Sequence, residues 1–444
     1  MPHSQTLRRP ARRRCLQPLY SSSMSLQPVR QQKLSHQVHT PIIQSTHKLE
    51  SLMTTVHLKP RKEESLQRFH PWVFSGAIAR IDGTPEEGDI VQLYTADKAF
   101  IAQGHYQVGS IAVRVLSFSP QVIDEAFWTQ RLKIAFEMRK ALGLVDQSEN
   151  NTYRLVHGEG DNLPGLIIDV YARTAVMQAH SAGMHKDRMV IAQALMKVME
   201  GHINNIYYKS ETTLPFKADL FPENGFLVGG GHDNIAQEYG LRFHVDWLKG
   251  QKTGFFVDQR ENRALLERYA RGKNVLNMFC YTGGFSFYAM RGGANLVHSV
   301  DSSAKAIELT NKNVALNFPH DHRHEAFAED AFKYLDRMGD RYDLIILDPP
   351  AFAKHKDALR NALQGYRKLN AKAFEKIRPG GILFTFSCSQ VVTKDHFRTA
   401  VFTAAALSGR SVRILHQLTQ PADHPVNIYH PEGEYLKGLV LYVE

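Results

Sequence analysis

The chain has 444 residues, 43% of them hydrophobic and 22% charged, ordinary values for a globular protein with room for two or three domains and a sizeable core. No apolar run approaches the ~20 residues needed to span a bilayer. Three scattered cysteines, Cys15, Cys280 and Cys388, make neither a disulfide framework nor a zinc site, so a reducing, cytoplasmic setting is the default and no metal is expected.

The net charge of +10 invites a nucleic-acid partner, but its placement argues otherwise. Residues 1–49 hold Arg8, Arg9, Arg12, Arg13, Arg14, Arg30, Lys33 and Lys48 without one acid, leaving only +2 for the remainder. Bulk charge therefore says little about partners, and any RNA footprint has to be local.

In chain order, residues 1–52 are rich in Ser, Gln and Arg without a sustained period, the composition of a disordered extension. They fit an organellar transit peptide or an over-extended start. The ordered-looking run from Met53 favours the second. Residues 53–124 read as short strands and turns, with Pro71 to Ile78, Ile90 to Tyr94 and Ile111 to Leu116 apolar or alternating, which predicts a small β-barrel. Residues 125–248 read as an α+β domain. A first helix is expected to bury Phe127, Leu132, Ile134, Ala135, Phe136 and Met138. A hairpin then turns at Gly158 to Gly165, and a helix covers 185–200.

From 249 to 444 strands alternate with helices, which predicts a parallel sheet covered on both faces. Seven strands are expected: 274–279, 296–301, 323–328, 342–348, 381–387, 411–418 and 436–443. The last two leave no room for a helix between them, so the seventh strand runs antiparallel. That pattern sets a class I methyltransferase apart from a plain dinucleotide fold.

Asn274 to Phe279 is a strand, Cys280-Tyr281-Thr282-Gly283-Gly284 the tight turn after it, and Phe285 opens a helix. The glycines let backbone approach a ligand at the helix N-terminus. The strict G-x-G-x-x-G of NAD enzymes is absent. Asp301-Ser302 ends the next strand roughly 18 residues after Gly283, where an acid binds ribose hydroxyls in doubly wound folds. Asp330 ends the third strand and suits adenine. Each carboxylate alone reads as a strand end or helix cap; together, ahead of Asp348-Pro349-Pro350, they favour S-adenosylmethionine. Cys280 reads as a packing residue.

These motifs converge on a family. From Met53 onward the chain resembles the RlmI (YccW)-like large-subunit ribosomal RNA cytosine-5 methyltransferases. The matching runs are His70 to Gly76, Gly158 to Leu166, Lys252 to Arg260, Asn277 to Phe285, Leu347 to Pro350, Thr385 to Ser389 and Ala422 to Pro425. The resemblance implies an N-terminal PUA domain that binds RNA, a central α+β domain and a C-terminal Rossmann-like methyltransferase. It also implies that Lys252, Thr253 and Gly254 begin a cover over the cofactor, beside Phe279, Tyr281, Thr282 and Gly283. A homodimer is left open.

Carbon 5 of cytosine is too weak a nucleophile to take a sulfonium methyl unaided. A thiolate adding at carbon 6 overcomes this, and Cys388, at the end of the fifth strand, is placed for it. A local positive field is expected to lower its pKa. Asp348 is expected to hydrogen-bond the cytosine and to touch the cofactor, Pro349 and Pro350 to stiffen the loop, and Phe352 to stack on the base. Asp423 and His424, in the long connection 419–435, are candidate substrate contacts. No second cysteine follows the prolines, so the proton-abstracting base is unassigned. Two rivals stand beside this reading: a base-nitrogen methyltransferase using Asp-Pro-Pro without a covalent step, and a non-catalytic ribosome-assembly factor.

Overall fold

The computed structural model describes residues 54–215, 220, 222–231 and 234–444; the expectation for residues 1–52 lies outside these. Six strands form the first sheet: β1 (Thr55–Leu58), β2 (Trp72–Phe74), β3 (Ile78–Asp82), β4 (Ile90–Tyr94), β5 (Phe100–Tyr106) and β6 (Ile111–Ser117). Their order is β2-β6-β5-β4-β1-β3. The two end strands, β2 and β3, are consecutive in the chain and joined only by the tight turn Ser75–Ala77. The sheet therefore curls until its ends meet, around Val56, Leu58, Val91, Leu93 and Val113. Alternating burial in β1 and β4 follows from this single inner face.

The central domain opens with helix Glu125–Ala141, N-capped by Asp124, whose side chain accepts from Phe127 N. Its inner face buries Phe127, Leu132, Ala135 and Phe136 as expected, but Ile134, at the margin of that stripe, is 57% exposed. Strands β7 (Thr152–His157), β8 (Leu166–Tyr171), β9 (Thr174–Ala179), β10 (Asn205–Tyr208) and β11 (Gly225–Val228) form a sheet in the order β11-β10-β9-β8-β7. The helix expected over 185–200 is two, Ala182–Lys186 and Arg188–Val198. The chain breaks at Asp187, whose carboxylate pairs with His105 of the first domain at 3.0 Å.

A hairpin, β12 (Ile235–Glu238) and β13 (Leu241–His244), packs Ala236, Leu241 and Phe243 into the same core as the methyltransferase strands and helices. The last sheet contains β14 (Asn274–Met278), β15 (Leu296–Asp301), β16 (His324–Ala328), β17 (Leu344–Leu347), β18 (Gly381–Ser387), β19 (Val412–Leu418) and β20 (Lys437–Val443). Their order is β16-β15-β14-β17-β18-β20-β19, with β20 antiparallel to both neighbours and the first five parallel. The chain winds outward from β14 in one direction and then returns to place β17 on its other side. The crevice at that reversal, beyond the carboxyl ends of β14 and β17, is where open α/β sheets bind ligands.

Candidate active site

The turn after β14 is tightly wound. Phe279, Tyr281 and Gly283 all have positive φ, at 58°, 49° and 85°, a conformation that only glycine adopts without cost. A Cβ on Gly283 would sit 2.6 Å from the Phe287 ring, so the close approach of turn and helix requires glycine there. Asp301, at the end of β15, clamps the turn: one carboxylate oxygen accepts from Tyr281 N at 3.0 Å and the other from Ser303 N at 2.9 Å. A cavity of ≈ 260 Å³ opens beside it, bounded by Phe279, Tyr281, Asp301, Ser302, Phe285 and, across the crevice, Asp348 with both prolines. Aromatic walls, a helix N-terminus and a carboxylate at a strand end are a donor set that fits an adenosyl cofactor.

Asp348 and Cys388 follow adjacent parallel strands, β17 and β18, in which Leu347 pairs with Thr385. Both side chains therefore emerge at one edge. Asp348 accepts a hydrogen bond from Gln259 Nε2 at 3.0 Å. Burial, reinforced by the nearby negative Asp258, pushes its carboxyl up to about 7. Cys388 lines the cofactor-side cavity and also a wider cleft of ≈ 730 Å³. Its thiol is not lowered: burial first, then the Asp348 charge, push it up to about 11, against the opposing fields of Lys252 and Lys437. The positive field expected from the sequence is present, but desolvation outweighs it.

The wide cleft is also where a local basic footprint lies. Lys249, Lys252 and Lys354 are exposed on its rim, with Lys209 deeper in. Lys252 borders both cavities. The segment after it is tied down on two sides. Thr253 Oγ1 donates to Asp169 of β8 at 2.6 Å, while the Tyr281 hydroxyl accepts from Gln251 N at 3.0 Å and donates to Gly254 O at 3.2 Å. Gly254 has a φ of 121°, and a Cβ there would lie 2.9 Å from Trp247 N. The strap thus lies directly over the cofactor turn.

Four residues singled out in the sequence lie apart from this constellation. Asp330 caps helix Ala331–Arg337, accepting from Phe332 N and Lys333 N, and does not border the cavity. Phe352 turns inward and packs on Tyr366, ring centroids 4.6 Å apart, so it is not offered to a base. Asp423 is fully buried and spent on Arg260 at 2.9 Å and on Arg154 N at 3.0 Å. His424, also buried, pairs with the Asp423 carboxylate at 3.0 Å. These last two join domains: Arg139 donates both to Asp161 of the Gly158–Gly165 turn and to the Asp423 carbonyl. Burial pushes the Cys280 thiol well up, which fits packing.

Other residues escaped the sequence reading. Asp258 is buried under the strap, accepts from the Tyr435 hydroxyl at 2.7 Å and sets the field at Asp348. Lys437, buried at the start of β20, donates to the carbonyls of Ser389 and Tyr435 at 2.5 and 2.6 Å. Desolvation lowers its pKa to about 8. A lysine opening an otherwise apolar strand was the only sequence signal for it.

A model of the S-adenosylmethionine-dependent methyltransferase family matches residues 229–434, and a PUA-like domain model matches residues 56–118. The ribosomal RNA large subunit methyltransferase I of Aeromonas hydrophila is 40% identical over 398 residues, covering 88% of this chain and 99% of that protein. Its namesake from Enterobacter sp. strain 638 is 38% identical over 389 residues, covering 86% and 97%. The chain belongs to the ribosomal RNA large subunit methyltransferase I family.

Solved structures show the same fold. A protein of the SAM-dependent methyltransferase type from Streptococcus mutans superposes with a TM-score of 0.75 at 23% identity, covering 88% of this chain and all of that one. The SMU.776 structure, complexed with SAH, gives 0.76 at the same identity and coverage. The fold is shared over the whole of each of those two chains and 88% of this one. The family's enzymes use S-adenosylmethionine, and the cavity beside the Cys280–Gly284 turn has the walls for it. Among the described residues no helix is long and apolar enough to cross a membrane.

Proposed function

We propose that this enzyme methylates carbon 5 of a cytosine in large-subunit ribosomal RNA, with Cys388 as the nucleophile. The observation that carries this reading is the placement of one thiol on the boundary between two cavities. Cys388 borders the cavity formed by the cofactor turn and also the open, lysine-rimmed cleft. A base entering from the cleft meets the thiol and the cofactor side together.

When bound, S-adenosylmethionine supplies an electrophilic methyl group on a positively charged sulfur. The chain supplies the nucleophile and the contacts that hold the base. Once Cys388 has released its proton to the open cleft, its thiolate adds to carbon 6, forming the S–C6 bond and moving the C5=C6 π electrons onto carbon 5. Carbon 5, now nucleophilic, would take the methyl group as the methyl–sulfur bond breaks and its electron pair stays on sulfur. A base then removes the carbon 5 proton, the C5=C6 bond reforms and the thiolate leaves. Asp348 recognises the base. A carboxyl with a pKa of about 7 is available both as donor and as acceptor. That pair complements the ring nitrogen N3 and the amino group of cytosine. The PUA-like domain and the exposed lysines hold the surrounding RNA.

The test is the Cys388→Ala enzyme, assayed for methyl incorporation into ribosomal RNA from a strain lacking the activity. Loss of activity with RNA binding intact is expected. Retained methylation would favour a nitrogen-directed reaction at the same Asp-Pro-Pro loop.

A further inference from the structure

Away from the catalytic cleft, one cluster of metal-ligating side chains has no part in the reaction. His70, in the loop before β2, faces the turn formed by His430, Pro431, Glu432 and Gly433 in the connection between β19 and β20. The ligating atoms of His70, His430 and Glu432 all lie within 4.8 Å of one another. Nε2 of His70 is 3.7 Å from one oxygen of Glu432, and Nε2 of His430 is 3.8 Å from the other. These separations are too long for hydrogen bonds. They approach the ~3.4 Å between two ligands of a tetrahedral cation with bonds near 2.0–2.1 Å.

The second observation is His430 itself. It is 3% exposed, yet neither ring nitrogen has a hydrogen-bond partner among the described residues, an uncompensated desolvation that a metal bond would relieve. It is also fixed in place. Its backbone N–H donates to Asn427 O at 2.8 Å, its backbone carbonyl accepts from Gly433 N at 3.2 Å, and the ring stands edge-on to Trp72 at 4.2 Å.

His70 is oriented in the same way. Its Nδ1 accepts from Trp72 N at 3.2 Å and also lies 3.3 Å from the Trp72 carbonyl oxygen. A cation on Nε2 would select the tautomer in which Nδ1–H donates to that carbonyl instead, the second contact typical of a ligating imidazole. Glu432, 52% exposed, has the freedom to close the remaining gap. None of the three borders the catalytic cavities.

We propose that His70, His430 and Glu432 bind a divalent transition-metal cation of the zinc type, which ties the PUA-like domain to the methyltransferase domain. Two imidazoles and a carboxylate suit Zn²⁺ and leave one position for water. The cation sets the orientation of the RNA-binding module and takes no part in methyl transfer.

The test uses the full-length protein, stripped with a chelator and titrated with Zn²⁺ by calorimetry and with Co²⁺ by absorption. One equivalent should bind, with a Co²⁺ spectrum lacking any thiolate charge-transfer band and a melting temperature that rises with metal. Affinity should fall at least tenfold in Glu432→Gln, an exposed change that leaves the fold intact, and be lost in His430→Phe, which keeps the packing on Trp72. Equal binding by wild type and Glu432→Gln, absence of stoichiometric binding, or a thiolate band assigning the metal to a cysteine would each overturn the proposal.

Discussion

The Asp423→Ala variant separates two roles for one residue. In the structure both oxygens of Asp423 serve Arg260, at 2.9 and 3.0 Å, and one also accepts from Arg154 N at 3.0 Å. Arg260 is itself only 1% exposed. Truncation leaves its guanidinium buried, with Glu261 at 3.2 Å and the Thr152 carbonyl at 3.5 Å as its remaining partners. Removing one member of a buried pair costs about 3–5 kcal/mol. At about 2 °C per kcal/mol for a unit of this size, the melting temperature should fall by roughly 6–10 °C.

Calorimetry with near-ultraviolet circular dichroism is the assay, and pH supplies a signature. Its partners His424 and Arg260 hold the Asp423 carboxyl below the usual carboxylate range against its burial. A depressed pKa stabilises the fold above the unfolded value near ~3.9, and that contribution shrinks as pH falls from there toward the folded pKa. The gap between wild type and Asp423→Asn should therefore be full at pH 7 and narrow below pH ~4. A variant that melts within about 2 °C of wild type but loses RNA affinity would refute this reasoning and make Asp423 a substrate contact.

The other predictions concern the thiol and the domain joint. With the Cys388 thiol at about 11, its alkylation by iodoacetamide in the free enzyme should accelerate about tenfold per pH unit between 7 and 9; a flat profile would mean a thiol already ionised. Asp348→Asn removes a negative charge that raises this pKa, so at pH 8 it should speed Cys388 alkylation while abolishing methylation. Slower alkylation would contradict the assigned field. In Gly160→Ala the new Cβ would lie 1.9 Å from the Pro425 carbonyl oxygen, forcing the central domain from the 423–427 loop. The cost should be about 1–3 kcal/mol or more, measured as a lower melting temperature.

The sequence carried most of the fold because its signals are local. Period-2 strands, the glycine turn after β14 and the two strand ends at Asp348 and Cys388 are each written within ten residues. What it did not carry depends on partners far along the chain. Asp423 reads as a loop acid until Arg260, 163 positions away, is brought against it. Phe352 reads as an exposed aromatic until Tyr366 takes it inward. Asp330 caps a helix, a local role that the pattern allowed from the start. The state of the thiol was least legible, since it is a balance between burial, Asp348 and two lysines that no spacing reveals.

Ribosomal RNA containing 5-fluorocytidine gives the most direct test of the central claim. Fluorine at carbon 5 cannot be removed as a proton is, so a thiol bonded to carbon 6 stays attached after methyl transfer. With S-adenosylmethionine, the wild-type enzyme should form a protein–RNA adduct that survives denaturation, and mass spectrometry should place the bond on Cys388. Cys388→Ala should form none. An adduct on another residue, or Cys388→Ala methylating unmodified RNA at the wild-type rate, would contradict the account.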